Sequence, residues 1–177
     1  MNYWIQVCNP VTLHRVGGTA GDLSEAIEAI FPMITEDALI VWNHEYIPLN
    51  YKYDLSVIID DLLPMCSSLL GQAHGTYKVS FGSDTFNSEW LLKWFDGKLF
   101  VTADWSSVVG SLEAVKSNCS DLETTIDHFL SEWKGVFKKI IIALEQSNIE
   151  IVDSKSYGMM REIDAAIKNS GYLYRNI

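Results

Sequence analysis

The sequence predicts an α+β fold: a mostly antiparallel central sheet packed against a long C-terminal helix and shorter helices. Three observations lead there. Asp96-Gly97 lies between two apolar, aromatic-rich runs in FNSEWLLKWFDGKLFVTADW (86–105), the strongest short-range sign of a β-hairpin. Helical spacing of apolar residues dominates the stretch from Leu122 to Leu144. Between and around them, strands and helices do not follow the regular βα alternation of a doubly wound sheet.

In order along the chain, Tyr3 to Cys8 reads as a first strand, extended through Asn9-Pro10 into a hairpin with Val11 to Val16. Gly17-Gly18 breaks it. Asp22 with Glu25 gives a capping-box start to a helix whose apolar positions are Leu23, Ala26, Ile27 and Ile30. Pro32 follows closely, and Ala38 to Trp42 is a short apolar strand. Asp54 is placed to cap a second helix with Leu55, Ile58, Ile59, Leu62, Met65 and Leu69 on one stripe. Pro64 should kink or divide that helix, and Gly71 should end it. Tyr77 to Phe81 gives another strand before the hairpin. A short helix is expected around Val108 to Lys116.

Ser120 and Glu123 form a second capping box, opening a helix expected to run to about Glu145. Leu122, Ile126, Phe129, Leu130, Trp133, Phe137, Ile140, Ile141 and Leu144 form its apolar face. About 26 helical residues would span about 39 Å, enough to cross the tryptophan face of the hairpin sheet. Ile149 to Val152 reads as a short strand. A last helix around Tyr157 to Lys168 ends at Gly171, ahead of a Tyr172-Leu173-Tyr174 tail.

The two-residue turn fixes the hairpin register, so both faces can be written out. Trp90, Leu92, Trp94, Leu99, Val101, Ala103 and Trp105 form a wholly apolar face. Glu89, Leu91, Lys93, Phe95, Lys98, Phe100, Thr102 and Asp104 form a mixed one. Glu89 then faces Asp104 directly across the ladder, a like-charge pair that costs up to about 1 kcal/mol. Either solvent screens the pair at a frayed hairpin end, or a cation offsets it. Phe95 and Phe100, with Lys93 between them, are the residue types enriched in interaction patches. The alternative is a helix covering this face as well.

The chain has 177 residues and a net charge of −10, with 48 % apolar and 12 % aromatic residues. That size and composition fit a single globular domain spanning 1–177. Cys8, Cys66 and Cys119 are scattered and odd in number, which points away from a disulfide framework and towards a reducing, cytoplasmic setting. The N-terminus lacks a signal-peptide pattern, and no apolar run is long enough for a membrane span. Residues 1–70 carry Arg15 and Lys52 against nine acids, a local charge of −7. Phosphate backbones demand the opposite sign, so neither nucleic acid nor membrane is expected as a partner, whereas a basic protein is. Asp60-Asp61 reads either as the solvated polar face of its helix or as a charge cluster for such a partner.

Motifs for other chemistry are missing. His44-Glu45 follows a strand but belongs to no HExxH pattern. His14, His74 and His128 are scattered, and His128 with Glu132 is an ordinary i, i+4 helix pair. No metal-ligand spacing, GxSxG or phosphate-loop signature is present; GGTAG (17–21) has neither the lysine nor the glycine spacing that phosphate binding needs. No cofactor or metal is expected.

The EWLLKWFDGKLFVTADW hairpin and the downstream FLSEWK (129–134), in a small acidic chain without catalytic motifs, resemble immunity proteins of bacterial polymorphic-toxin systems such as contact-dependent growth inhibition. The resemblance covers about Phe86 to Leu144, leaves the N-terminal part unmatched, and transfers no functional residue. It implies a stoichiometric inhibitor of a basic, nuclease-type toxin domain. The expected partner-binding residues come from the hairpin and helix arguments: Glu89, Lys93, Phe95, Phe100, Asp104, Asp60 and Asp61. Two alternatives stand beside it: a small hydrolase or transferase using His44, Glu45 or the Glu89/Asp104 pair, and an adaptor that forms a homodimer or larger oligomer through the aromatic face.

Overall fold

In a computed structural model, which describes residues 2–14 and 16–168, the chain adopts the α+β architecture expected. The strands are β1 (Tyr3–Gln6), β2 (Thr19–Ala20), β3 (Ala38–Trp42), β4 (Glu45–Leu49), β5 (Gly75–Gly82), β6 (Phe86–Phe95), β7 (Lys98–Val108), β8 (Asp121–Thr125) and β9 (Glu150–Ile151). The helices are α1 (Leu23–Ile30), α2 (Ser56–Gly71), α3 (Leu112–Asn118), α4 (Ile126–Ser147) and α5 (Lys155–Ala166), with a π-helical turn at Tyr51–Leu55 leading into α2. An antiparallel sheet ordered β5-β6-β7-β8 lies beside an antiparallel sheet ordered β1-β3-β4, and β2 pairs in parallel with β9. The Tyr172-Leu173-Tyr174 tail and the Gly171 stop lie outside the described residues.

Asp96 and Gly97 close the β6–β7 hairpin with φ of 51° and 75°, the left-handed pair that matches the twist of the flanking strands. The tryptophan side of this hairpin is core. Trp90, Trp94 and Trp105 are fully buried. Trp42 of β3 meets Trp90 and Trp105 edge-on, at centroid distances of 5.3 and 5.8 Å, and Phe81 and Phe86 complete the cluster. Edge-to-face contacts of this kind add about 0.5–1.5 kcal/mol each beyond area burial. Three of the indole N–H groups also find acceptors: Trp105 donates to the Cys119 carbonyl at 2.9 Å, Trp42 to that of Asp121 at 3.2 Å, and Trp94 to that of Gln72 at 2.9 Å, whereas the buried Trp90 Nε1 has no partner among the described residues. Hence the second sheet and α2 close the tryptophan face. The long helix, expected across it, packs instead against β1, β8, α1 and α5.

Several boundaries differ from the sequence reading. Asp121–Thr125 is not the first turn of a helix but edge strand β8, paired with β7 from Lys98↔Thr125 to Thr102↔Asp121. The Ser120/Glu123 capping box therefore does not form; Thr125 caps α4, accepting from the His128 N–H at 3.2 Å. The helix has 22 residues and ends at Asn148 in the left-handed region (φ 56°). Leu122 is buried either way, because it points inward from a strand as well as from a helix. Similarly, β7 continues through Val108, so α3 begins only after its Ser111 cap.

On the N-terminal side, the described residues from Val11 to Val16 form no strand, and β1 stops at Gln6. The partner of β3 after the chain reverses is β4, an element the sequence reading lacked. Asn43 and His44 make the turn with φ of 47° and 73°, and Pro48 is accommodated because β4 is an edge strand. Asn50, not Asp54, caps the next turn, accepting from the N–H groups of Lys52 and Tyr53. Asp54 is buried and accepts from the Asn50 N–H at 2.8 Å, from the Thr85 hydroxyl at 2.6 Å and from the Ser83 hydroxyl. It thus ties the start of α2 to the β5–β6 turn. Pro64 does not divide α2, which runs unbroken to Gly71.

Edge strand β1 is held by α4. Ile5 donates its N–H to Glu132 Oε2 at 2.8 Å, and His128 Nε2 lies 2.7 Å from the Tyr3 carbonyl, so that nitrogen carries the proton. Residues i and i+2 of a strand present their backbone groups to the same edge. Two side chains one helical turn apart therefore satisfy the edge that β3 leaves free, which removes an unpaired strand edge from solvent.

Candidate protein-binding site

Alternation along β5 to β8 sends every second side chain away from the tryptophan core. The observed register builds the outer face in rows across the four strands: Thr76, Lys93, Phe100 and Glu123 in one, and Lys78, Leu91, Thr102 and Asp121 in the next. Phe95 and Lys98 close one end, and Ser80, Glu89 and Asp104 the other. Apart from half-buried Phe100, all these side chains are exposed, so no described helix covers this face.

Its centre is apolar. Phe95 and Phe100, on adjacent strands, stack with centroids 5.4 Å apart and planes 19° apart. Leu91 sits diagonally next to Phe100 on the same face. Phe95 remains 51 % exposed and Leu91 37 %. Lys93 lies between them on β6, directly opposite Phe100.

The Glu89↔Asp104 pairing forms as the register dictates. A cation offsets it from within the chain: Lys78 Nζ of β5 lies 2.8 Å from Glu89 Oε1. Lys98 approaches Glu123 at 3.6 Å, and Thr102 donates its hydroxyl to Asp121 at 3.1 Å. Charge on this face is therefore largely paired internally, leaving the phenylalanine strip as its distinctive feature.

The structure brings Glu89, Lys93, Phe95, Phe100 and Asp104 onto one surface but not Asp60 and Asp61. Those two lie on the exposed side of α2, where Asp60 accepts from the Ser156 hydroxyl of α5 at 2.7 Å. Partial burial, and then the charge of Asp60, raise the Asp61 carboxyl above its ordinary range. His44 sits in the β3–β4 turn, and Glu45 accepts from Asn118 Nδ2 at 2.6 Å. Neither they nor Glu89 and Asp104 line any of the four described cavities, the largest of about 670 Å³.

In comparisons with known proteins, no family model, no curated protein and no solved structure matches this chain. Function must be argued from the surface alone. No described helix is long and apolar enough to cross a membrane. Among the described residues no group of three His, Cys, Asp or Glu side chains is arranged to hold a metal ion.

One exposed apolar region escaped the sequence reading. Loop residues Val11 (61 % exposed) and Leu13 (45 %) stand beside Met33 (71 %) and Ile34 (90 %). Val11, Leu13 and Val16 are apolar residues between turn formers, a composition that a strand and an exposed loop share. Only tertiary context shows these side chains in solvent.

Proposed function

We propose that this chain is a stoichiometric protein inhibitor, an immunity protein that neutralises a cognate, basic, nuclease-type toxin domain in the cytoplasm of a bacterium. The observation that carries the reading is the uncovered sheet face with its stacked Phe95/Phe100 pair. A folded chain gains nothing by leaving two aromatic rings and a leucine in water, whereas aromatic anchors ringed by paired charge are what partner surfaces use. The net charge of −10 supports fast capture of a positively charged target. Catalysis is not part of this reading: His44 sits in a turn, Glu45 at the start of β4, and Glu89 and Asp104 on an open face, and none of them lines a described cavity.

Co-expression tests it. The protein is produced together with the product of the adjacent gene, alone and as a pair, and growth is followed. Growth arrest by the neighbour's domain, relieved by this chain with recovery of a 1:1 complex, is the expected result. A harmless neighbour that does not bind at micromolar concentration contradicts the proposal. An aromatic-face homodimer, the adaptor alternative, would instead appear in sedimentation of the isolated protein.

A further inference from the structure

Resting on the reading of this chain as a stoichiometric binder, we infer that the paired loops 9–14 and 31–37 form a second docking element, which seats Met33 and Ile34 in an apolar depression on a positively charged protein surface. The loops are fixed to each other and to the fold. Leu13 donates its N–H to the Ile30 carbonyl at 2.8 Å, and the Thr35 hydroxyl to the Val11 carbonyl at 3.3 Å. Asn9 donates its N–H to Glu36 Oε2 at 2.8 Å and accepts from Lys139 Nζ of α4 at 3.0 Å. A tip held this way loses little conformational freedom on binding, so its apolar burial goes into affinity. Val11, Leu13, Met33 and Ile34 are thus exposed on two loops that hydrogen bonds join to each other, rather than scattered over the surface.

Charge identifies the occupant. Residues 9–37 contain Asp22, Glu25, Glu28, Glu36 and Asp37 against a single arginine. None of these five carboxylates takes part in an ion pair among the described residues, in contrast to Glu89 and Glu123 on the sheet face. The lysines that reach this side are held on neutral oxygens, Lys52 on the Glu28 carbonyl and Lys139 on Asn9. Their two charges offset part of the acidic excess, and the remainder is felt locally: burial first, then the charges of Glu36 and Asp37, raise the Cys8 thiol above its ordinary value. An apolar tip with an acidic rim is complementary to a basic protein and repelled by anionic lipid.

The probe is the purified domain encoded by the adjacent gene, titrated with wild type, Ile34→Asp, Glu28→Lys and Phe95→Asp at low and high salt. Ile34→Asp should weaken binding at least tenfold with an unchanged melting midpoint. Glu28→Lys should slow association severalfold and flatten its salt dependence. Wild-type affinity in both loop variants, with loss only in Phe95→Asp, overturns this inference and leaves the inhibitor reading standing. No binding by wild type removes both. Capture by phosphatidylserine vesicles, or a concentration-dependent dimer, that Ile34→Asp abolishes would assign the loops to lipid or to a second copy and likewise overturn it.

Discussion

Phe95 and Phe100 lie one strand apart on the open face of the four-stranded sheet, stacked 5.4 Å centroid to centroid and 19° from parallel. Both belong to a hairpin whose opposite face is the tryptophan core, so the stacked pair stands directly behind the buried cluster. Phe95 is half exposed, so the pair adds less to stability than the buried rings do. The double variant Phe95→Ala/Phe100→Ala should cost about 0.5–1.5 kcal/mol in urea unfolding for the lost ring contact, together with the burial lost at half-buried Phe100, and should leave the near-ultraviolet signal of the buried tryptophans intact.

Glu132 should make stability pH-dependent. Burial raises its carboxyl above the ordinary 4.5, against the lowering effects of the Ile5 N–H and His128. The folded protein therefore holds this proton more tightly than the unfolded chain. Its contribution to stability is full below 4.5 and declines as pH rises through the folded value. Glu132→Gln keeps an acceptor for Ile5 and has no such proton to lose. Urea midpoints measured across the acidic range should fall relative to this variant only in wild type. Glu132→Ala, which strands the Ile5 N–H, should cost about 1–3 kcal/mol.

The start of α4 separates two capping residues. Thr125→Ala removes the acceptor of the His128 N–H and should destabilise by about 1 kcal/mol. Ser120→Ala, at the position where the sequence places a cap, should stay within about 0.5 kcal/mol. Equal effects in chemical denaturation would restore the longer helix.

Asp54→Ala leaves the Asn50 N–H and the hydroxyls of Ser83 and Thr85 without their shared acceptor. A loss of about 2–3 kcal/mol is expected from stranded buried polar groups. Hydrogen exchange should quicken first at the β5–β6 turn.

The legible and illegible parts of the sequence differ for physical reasons. The hairpin register, including Glu89 opposite Asp104, follows from a turn of two residues with strict alternation on either side. The start of α4 was misplaced because one buried residue, Leu122, fits period 2 and period 3.6 equally, and only pairing with β7 decides between them. Strand β4 carries Pro48 and a turn without glycine, so nothing local marks it; it exists because β3 offers an edge. For the site, the composition of the outer face was readable but its openness was not. Which side of a sheet the helices take depends on contacts such as Trp42 with Trp90, set by residues far apart in the chain.

The central claim is that the phenylalanine face captures a basic protein partner one to one. Isothermal titration of the adjacent gene's purified domain with wild type and with Phe95→Ala/Phe100→Ala tests it most directly. The account predicts a 1:1 complex for wild type and an affinity at least tenfold weaker for the equally folded variant. Equal affinity for both proteins, or no heat of binding with either, would contradict it.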